Sequence, residues 1–552
     1  MAGFGCELQG EAVTAGAQQG GTVGPLSTSV AGLCRRLQSQ VSARTAAGFA
    51  EVLRRLGAPL QVAVAGRIKS GKSTLVNALI GRRVAPTDVG ECTRLVTRFQ
   101  YGTVDRIEVV FRNGDKQVLP FAPDGMIPAD LGVDVDRVSH LEAYLTNAAL
   151  RNMTVIDTPG LGSLDAESVS RTEQLLGASG SGDREDGDGD GGEERADRER
   201  AGDTGDRRDL GDELDETSRS AVAGAEAVLY VVTQGVRADD EQALRAFTAA
   251  TASREAGPVN AIAVLNKADT IASESVPGCE GDVWKAATVL ARKQADTLKP
   301  RVADVLPVIG LIAESAETGR FTSADADALR QVARLDDDAL EVMLMSADMF
   351  TSWECDVPSG VRQRLLEKLD LYGIHRATQA LRAEPELTAG ALRRSLLDSS
   401  GLAAVRARLD TVFAARADGI KAAAALASIT AIAHASGDKA ERQRVHDAIE
   451  VLLAKPEAHQ LRMLEALTLV ASGSVDMPQD LVREVLRVGS NADIPAQLGK
   501  PGGSRTDLAT YALERAGWWR SFASFGATPA QSRVAHVVHR AYFLIWQQLR
   551  QH

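Results

Sequence analysis

The chain has 552 residues, 44% of them hydrophobic, and a formal net charge of −12, which allows two or three domains with cores of their own. It contains no apolar run of roughly 18 residues, so no transmembrane helix is expected; the most apolar stretch, 420–435, carries Lys421 and His434 and reads as a buried helix. Five scattered cysteines (Cys6, Cys34, Cys92, Cys279 and Cys355) lack metal-ligand spacing and suit a reducing cytoplasm, which argues against a disulfide scaffold or a zinc module.

In chain order, Met1 to Gly24 is rich in Gly, Ala and Gln without a basic start, and is expected to be disordered and not a signal peptide. Over 25–57, Val30, Leu33, Leu37, Val41, Phe49, Val52 and Leu56 fall on one face, predicting a single helix of about seven turns. Leu60–Ala65 is a short apolar strand, and Thr74–Ile80 reads as a helix. Further strands are expected at Leu95–Tyr101, Arg106–Phe111, Met153–Ile156, Ala227–Val232, Ala261–Leu265 and Val305–Gly310. Strands alternating with helices over 58–320 predict an α/β, doubly wound, Ras-like sheet with its ligand at the strand C-termini. Residues 324–552 read as helical, with breaks at Ser400-Gly401, Gly437-Asp438, Gly473-Ser474 and 499–504. Leu402 to Ile429 predicts one long helix of roughly 50 Å. The helix before the sheet and those after it are expected to meet in an α-helical bundle.

Three motifs carry the chemistry. Gly66-Arg67-Ile68-Lys69-Ser70-Gly71-Lys72-Ser73, followed by Thr74, is the phosphate-binding P-loop between a strand and a helix. Free backbone N–H groups and the positive helix end there face a phosphate chain. Lys72 would reach the β- and γ-phosphates, and Ser73 would ligate Mg²⁺. Asp157-Thr158-Pro159-Gly160 follows the Met153 strand, so Asp157 would hold the Mg²⁺ through water and the Gly160 N–H would meet the γ-phosphate. Asn266-Lys267-Ala268-Asp269 follows the Ala261 strand, and Asp269 would accept two hydrogen bonds from guanine that adenine does not supply, selecting GTP.

Charge is uneven. Between Asp183 and Glu216 there are 16 Asp/Glu and 6 Arg, a net of −10, with almost no apolar residues. Residues 179–217 are therefore expected to be a solvated, disordered insert, read either as a partner surface or as a tolerated loop expansion. Between Arg505 and His552, six Arg face Asp507 and Glu514, and Trp518, Trp519, Phe522, Phe525, Tyr542, Phe543 and Trp546 cluster there. Basic plus aromatic character suits an anionic membrane surface; aromatics packed in a core, with 493–504 as the rival membrane tip, are the other reading.

The run Gly66 to Gly81, then Ala85-Pro86-Thr87-Asp88-Val89-Gly90-Glu91-Cys92-Thr93-Arg94 and Leu371-Tyr372-Gly373, resembles the actinobacterial group of bacterial dynamin-like GTPases, over roughly residues 30–440. That group includes the isoniazid-inducible dynamins of mycobacteria and the sporulation dynamins of filamentous actinobacteria. The resemblance implies GTP hydrolysis to GDP, membrane remodelling or stabilisation at stress sites or division septa, and peripheral attachment to the inner face of the cell membrane. It also implies self-association through GTPase faces and a paralogous dynamin-like partner. Thr93 maps onto the switch threonine that ligates Mg²⁺ and holds the attacking water, with Thr87 as competitor. Leu161 stands where Ras-type enzymes have a water-orienting Gln, so backbone and dimerisation would place the water. The family tends to hold a small polar residue beside a monovalent cation, or an arginine finger, at the position of Lys69. Its ammonium either offsets charge between the β- and γ-phosphates or merely faces solvent. An Era-like ribosome-assembly GTPase would need an RNA-binding module that the helical half lacks, so no nucleic-acid partner is expected. A regulatory scaffold recruiting division or stress proteins without deforming membrane fits the same motifs.

Overall fold

The computed structural model describes residues 24–87, 95–159, 225–235, 261–298, 302, 304–413, 416–471, 473–491 and 493–551. Of the segments expected to be disordered, 1–24 and 179–217, all but Gly24 lie outside these residues.

Among the described residues nine strands form one mixed sheet: β1 (Leu60–Gly66), β2 (Thr97–Tyr101), β3 (Arg106–Phe111), β4 (Lys116–Leu119), β5 (Val138–Leu145), β6 (Met153–Asp157), β7 (Ala227–Val232), β8 (Ala261–Leu265) and β9 (Val305–Pro307). Their order is β4-β3-β5-β2-β6-β1-β7-β8-β9. β6, β1, β7, β8 and β9 are mutually parallel, and β7 and β8 are buried along their whole length. This is the near-continuous apolar pattern of strands covered on both faces. β2 runs antiparallel to β6. β4 and β5 were not expected: Lys116, Ser139, His140 and Glu142 interrupt their apolar pattern because these strands are half-exposed. The last strand stops at Pro307, short of the expected Gly310, because Gly310 already opens a helix.

Helices cover both faces. On one side lie α3 (Lys72–Ile80) and α11 (Leu402–Val412), joined by Ala313 of α5 (Gly310–Glu317); on the other lie α4 (Val283–Leu298), α6 (Ser323–Ala333), α7 (Asp337–Met343), α8 (Ala347–Ser352), α9 (Ser359–Ala383) and α10 (Ala389–Ser399). The core of the other face is built from α4, α6, α9 and α10.

The helix expected over 25–57 is two helices, α1 (Pro25–Leu37) and α2 (Ala43–Gly57). Ser42 breaks the pattern with extended backbone, and its side chain caps α2 by accepting from the Thr45 N–H. Glu441 fixes the corner, accepting from the Ser42 N–H at 2.8 Å and from the Thr45 hydroxyl. The long helix expected from Leu402 to Ile429 is also two, α11 and α12 (Ala417–Ala435). The chain turns at Arg416, which is buried and donates to Ser490.

Among the described residues the helices before and after the sheet meet, as expected, and the helical part packs as two bundles. The first packs α1, α2, α12 and α13 (Lys439–Leu453) around Leu33, Phe49, Ile429 and Val445. Asp418 of α12 accepts the Leu26 and Ser27 N–H groups at 3.0 and 2.8 Å, satisfying donors that the start of α1 cannot bond internally. The second packs α14 (His459–Ala471), α15 (Gln479–Ser490), α17 (Arg505–Phe525) and α18 (Pro529–Gln551), with the short α16 (Ile494–Leu498) before α17. Trp519 and Tyr542 are core residues here and not surface aromatics. Both donate to the Glu484 carboxylate, at 3.0 and 2.6 Å, as does Arg515.

Candidate nucleotide site

β1 delivers the P-loop at the C-terminal edge of the parallel strands. Gly66 has φ 150° and lies so close to β7 that a Cβ would sit 2.4 Å from the Val231 carbonyl oxygen. Gly71 has φ 88°, with Asn266 Nδ2 2.3 Å from where a Cβ would be. Neither position accepts a side chain, so the backbone approaches closely and leaves space for phosphate. Lys69 takes a left-handed φ of 62° and is exposed, with Ile68 beside it. Arg67 is half-buried at the start of the turn, and Ser73 and Thr74 lie in the first turn of α3, whose N–H groups have no intrahelical acceptor.

Lys72 is buried and its Nζ donates to the Arg67 carbonyl at 2.9 Å, closing the loop over itself. Burial holds its pKa below the ordinary lysine value, and the neighbouring Asp157 pulls it partly back. Ser73 Oγ donates to Asp157 Oδ2 at 2.8 Å. Burial pushes the Asp157 carboxyl up to about 6, against the opposing pull of Lys72 and the Ser73 hydrogen bond. Asp157 Oδ1 and Ser70 Oγ are buried without a partner among the described residues. A hydroxyl beside a carboxylate with one unmatched oxygen is a hard-oxygen donor set that fits Mg²⁺. Thr158 Oγ1 donates to the Val64 carbonyl at 2.9 Å, tying this motif to β1. Thr93 and Gly160 lie outside the described residues, and Thr87, the last described residue before 88–94, is exposed.

The third motif divides its labour. Asn266 is buried; its Nδ2 donates to the Ser70 carbonyl at 2.8 Å and its Oδ1 accepts the Gly310 N–H at 3.0 Å. Both ends of its amide are engaged within the protein, so it braces the P-loop against α5. Lys267 stands exposed at φ 57°, and Asp269 sits in the short turn after it. Burial raises the Asp269 carboxyl, and nearby Asp370 adds to the effect. Asp370 is itself a backbone exception inside α9, at φ 54° and ψ 177°.

One positioning residue escaped the sequence reading. Asn77, fully buried in α3, accepts the Val84 and Ala85 N–H groups at 2.9 and 2.8 Å and donates to the Ala85 carbonyl and Glu314 at 3.0 and 2.8 Å. It fixes the chain just before 88–94. A polar side chain in the apolar run Leu75-Val76-Asn77-Ala78-Leu79-Ile80 was the signal.

Residues 62–268 match the family model described as the dynamin family. This is a dynamin-family GTPase domain. Over 473 residues the chain is 29% identical to isoniazid-induced protein IniC of Mycobacterium tuberculosis, covering 84% of this chain and 85% of that one. A 51-residue segment is 43% identical to the bacterial dynamin-like protein of Nostoc punctiforme, covering 9% and 7% of the two chains. A solved structure of an oligomerised bacterial dynamin pair, described as sensing and tethering membranes at long range, aligns over 97% of this chain and 92% of its own at 11% identity, with a TM-score of 0.33. The family match spans the first two motifs and ends one residue before Asp269, and the likeness to IniC covers far more of the chain than that match. No helix among the described residues is long and apolar enough to cross a membrane.

Proposed function

We propose that this dynamin-family GTPase hydrolyses GTP to GDP and phosphate in order to remodel or stabilise membrane from the cytoplasmic face, as a peripheral protein. The observation that carries the nucleotide half is the Ser73–Asp157 pair with its unmatched Oδ1, set beside a buried lysine in the P-loop. Ser73, Asp157 and Thr93 would hold Mg²⁺, which would supply positive charge against the phosphates. Lys72 would leave the Arg67 carbonyl for the β- and γ-phosphates, and the amides of 67–74 would cradle them. Lys69 would add an ammonium over the phosphate chain. Asp269 would read guanine, with Lys267 alongside and Asn266 holding the loop in register. Gly160 and Thr93 would respond to the γ-phosphate and order the surface through which two GTPase domains pair, with a second copy or a paralogous dynamin-like chain as partner. The GTPase part, 58–320, would drive the helical parts, 25–57 and 324–552.

The membrane half is supported by the dynamin-family match and by the likeness to IniC over most of both chains. GTP turnover measured with and without anionic vesicles tests the whole reading. Turnover is expected to need Mg²⁺, to vanish in Lys72→Ala, and to rise when vesicles concentrate the protein on one surface. Turnover of ATP equal to that of GTP would remove the base assignment.

A further inference from the structure

The turn between α17 and α18 carries the exposed aromatic surface of the second bundle. Phe525 is 91% exposed and Trp518 40%. Trp518 stacks on Phe522 with ring centroids 5.4 Å apart and an interplanar angle of 5°, and the Arg515 guanidinium lies over the Trp518 ring, 4.4 Å from its centroid. Positions 518, 522 and 525 share one side of α17, while Trp519 next door points into the core and bonds Glu484. One side of the helix therefore holds the bundle together and another presents rings that the bundle does not use. The turn is pre-ordered: Thr528 and Gln531 cap α18 reciprocally, and Gln531 Nε2 donates to the Asp476 carbonyl at 2.6 Å, joining this turn to the α14–α15 turn.

Position in the fold matters as much as exposure. Arg416 bonds Ser490 where the sheet core, with Phe413 and Ile420, meets the second bundle. The loop 493–504 follows directly, so it lies on the GTPase side, and Arg505 at the start of α17 bonds the Leu549 carbonyl there. The 21 residues of α17 then run to the opposite end, about 30 Å away. The two candidate membrane tips are therefore opposite ends of one helix, and the aromatic one is distal.

Charge selects the partner. The whole chain is at −12, yet from Arg515 to His552 it has five Arg and no Asp or Glu. Arg520 and Arg533 flank the turn and are exposed; Asp476 and Asp480 are the acids on the adjoining turn and the start of α15. We infer that the α17–α18 turn, with Phe525, Phe522 and Trp518 as inserting rings and Arg520 and Arg533 as headgroup contacts, is the site at which this protein docks on an anionic lipid surface. The inference rests on the membrane reading above and names its contact. A small helical-hairpin tip of rings bordered by guanidinium groups suits shallow insertion at a bilayer interface. Stable protein docking asks for a broader patch of about 800 Å² per partner.

The test is flotation of the full chain with vesicles of phosphatidylcholine alone and of phosphatidylcholine with phosphatidylglycerol, with GDP and with a non-hydrolysable GTP analogue. Wild type is expected to float with the anionic vesicles and to be released by salt. Phe525→Ser, and the pair Arg520→Glu with Arg533→Glu, should each weaken binding about ten-fold or more, with basal GTPase and melting temperature unchanged. Brominated acyl chains should quench wild-type tryptophan emission and spare that of Trp518→Phe. Flotation of Phe525→Ser equal to wild type overturns the tip and leaves the membrane reading standing. Failure of wild type to float in any nucleotide state overturns both, and a self-association lost in Phe525→Ser would then reassign the surface to protein docking.

Discussion

Ser73 Oγ donates to Asp157 Oδ2 at 2.8 Å while Asp157 Oδ1 is buried without a partner among the described residues. The carboxyl titrates at about 6 because burial penalises its charge, and a divalent cation must displace that proton. Magnesium-dependent GTP binding should therefore weaken as pH falls through about 6, and Asp157→Asn should abolish the Mg²⁺ requirement together with tight binding. Calorimetric titration of GTP at pH 5.5 and 7.5, with Mg²⁺ and with chelator, checks both. Binding equal at the two pH values would separate Asp157 from the metal.

Asp269 is half-buried in the turn that follows the strand β8. Asp269→Asn replaces two acceptors with one acceptor and one donor, which matches xanthine better than guanine. Competition binding should show GTP affinity falling about 100-fold or more, the scale set by leaving a buried polar group unmatched, and a xanthosine triphosphate gaining on it. A variant that keeps its GTP preference would place the base elsewhere.

Lys69 holds an uncommon left-handed backbone at the exposed crest of the P-loop. If its ammonium lies over the phosphates during hydrolysis, wild-type turnover should be alike in potassium, sodium and choline buffers. Lys69→Ser should turn over about ten-fold more slowly, roughly 1.4 kcal/mol of barrier, and should gain a dependence on potassium. A wild-type rate that itself rises ten-fold with potassium would reject the role.

The parallel half of the sheet was legible because β7 and β8 are unbroken apolar runs, while β1 and β8 end in the phosphate and base motifs. β5 was not, since a strand with one face partly in water admits His140 and Glu142 without an apolar rhythm. Helix breaks set by tertiary partners were also hidden: Ser42 bends the chain because Glu441, 399 residues away, accepts its N–H. In the site, the motif letters led to the expectation that Lys72, Ser73 and Asp157 meet, and the structure brings them together. Those letters gave Asn266 to the nucleotide, whereas its amide bonds Ser70 and Gly310, a role that depends on where α5 packs. Trp518 and Trp519 are adjacent letters with opposite environments, which only the packing of α17 decides.

Asn77 shows what that packing implies for the switch region. Asn77→Ala would strip acceptors from the Val84 and Ala85 N–H groups and a donor from Glu314, all in the interior. Each group left unmatched costs about 1–3 kcal/mol, so the variant should lose on the order of 3 kcal/mol in denaturant melts. Nucleotide affinity should fall as well, because the segment leading to Thr93 starts at this anchor. Asn77→Ser with intact affinity would confine the residue to stability.

His459 gives the second bundle its own pH response. It opens α14 with Nε2 buried and without a partner. Burial, and then the charges of Arg540 on α18 and Arg462 on α14, lower its pKa from 6.5 to about 4. The unfolded chain therefore binds the proton first on acidification. The stability that neutral His459 contributes is fully present above about 6.5 and is lost as pH falls through the window down to about 4. That window corresponds to about 3 kcal/mol, an upper bound because the ring is partly solvated. Asp and Glu side chains held below their ordinary values, Glu484 among them, act in the same direction at lower pH: burial raises the Glu484 carboxyl, but the bonds from Arg515, Tyr542 and Trp519 outweigh it. His459→Gln removes the titration and keeps a ring-sized polar side chain. Its melting temperature should match or fall below wild type at pH 7.5 and exceed it near pH 5. Parallel melting curves for the two proteins across that range would place the acid response in the carboxylates alone.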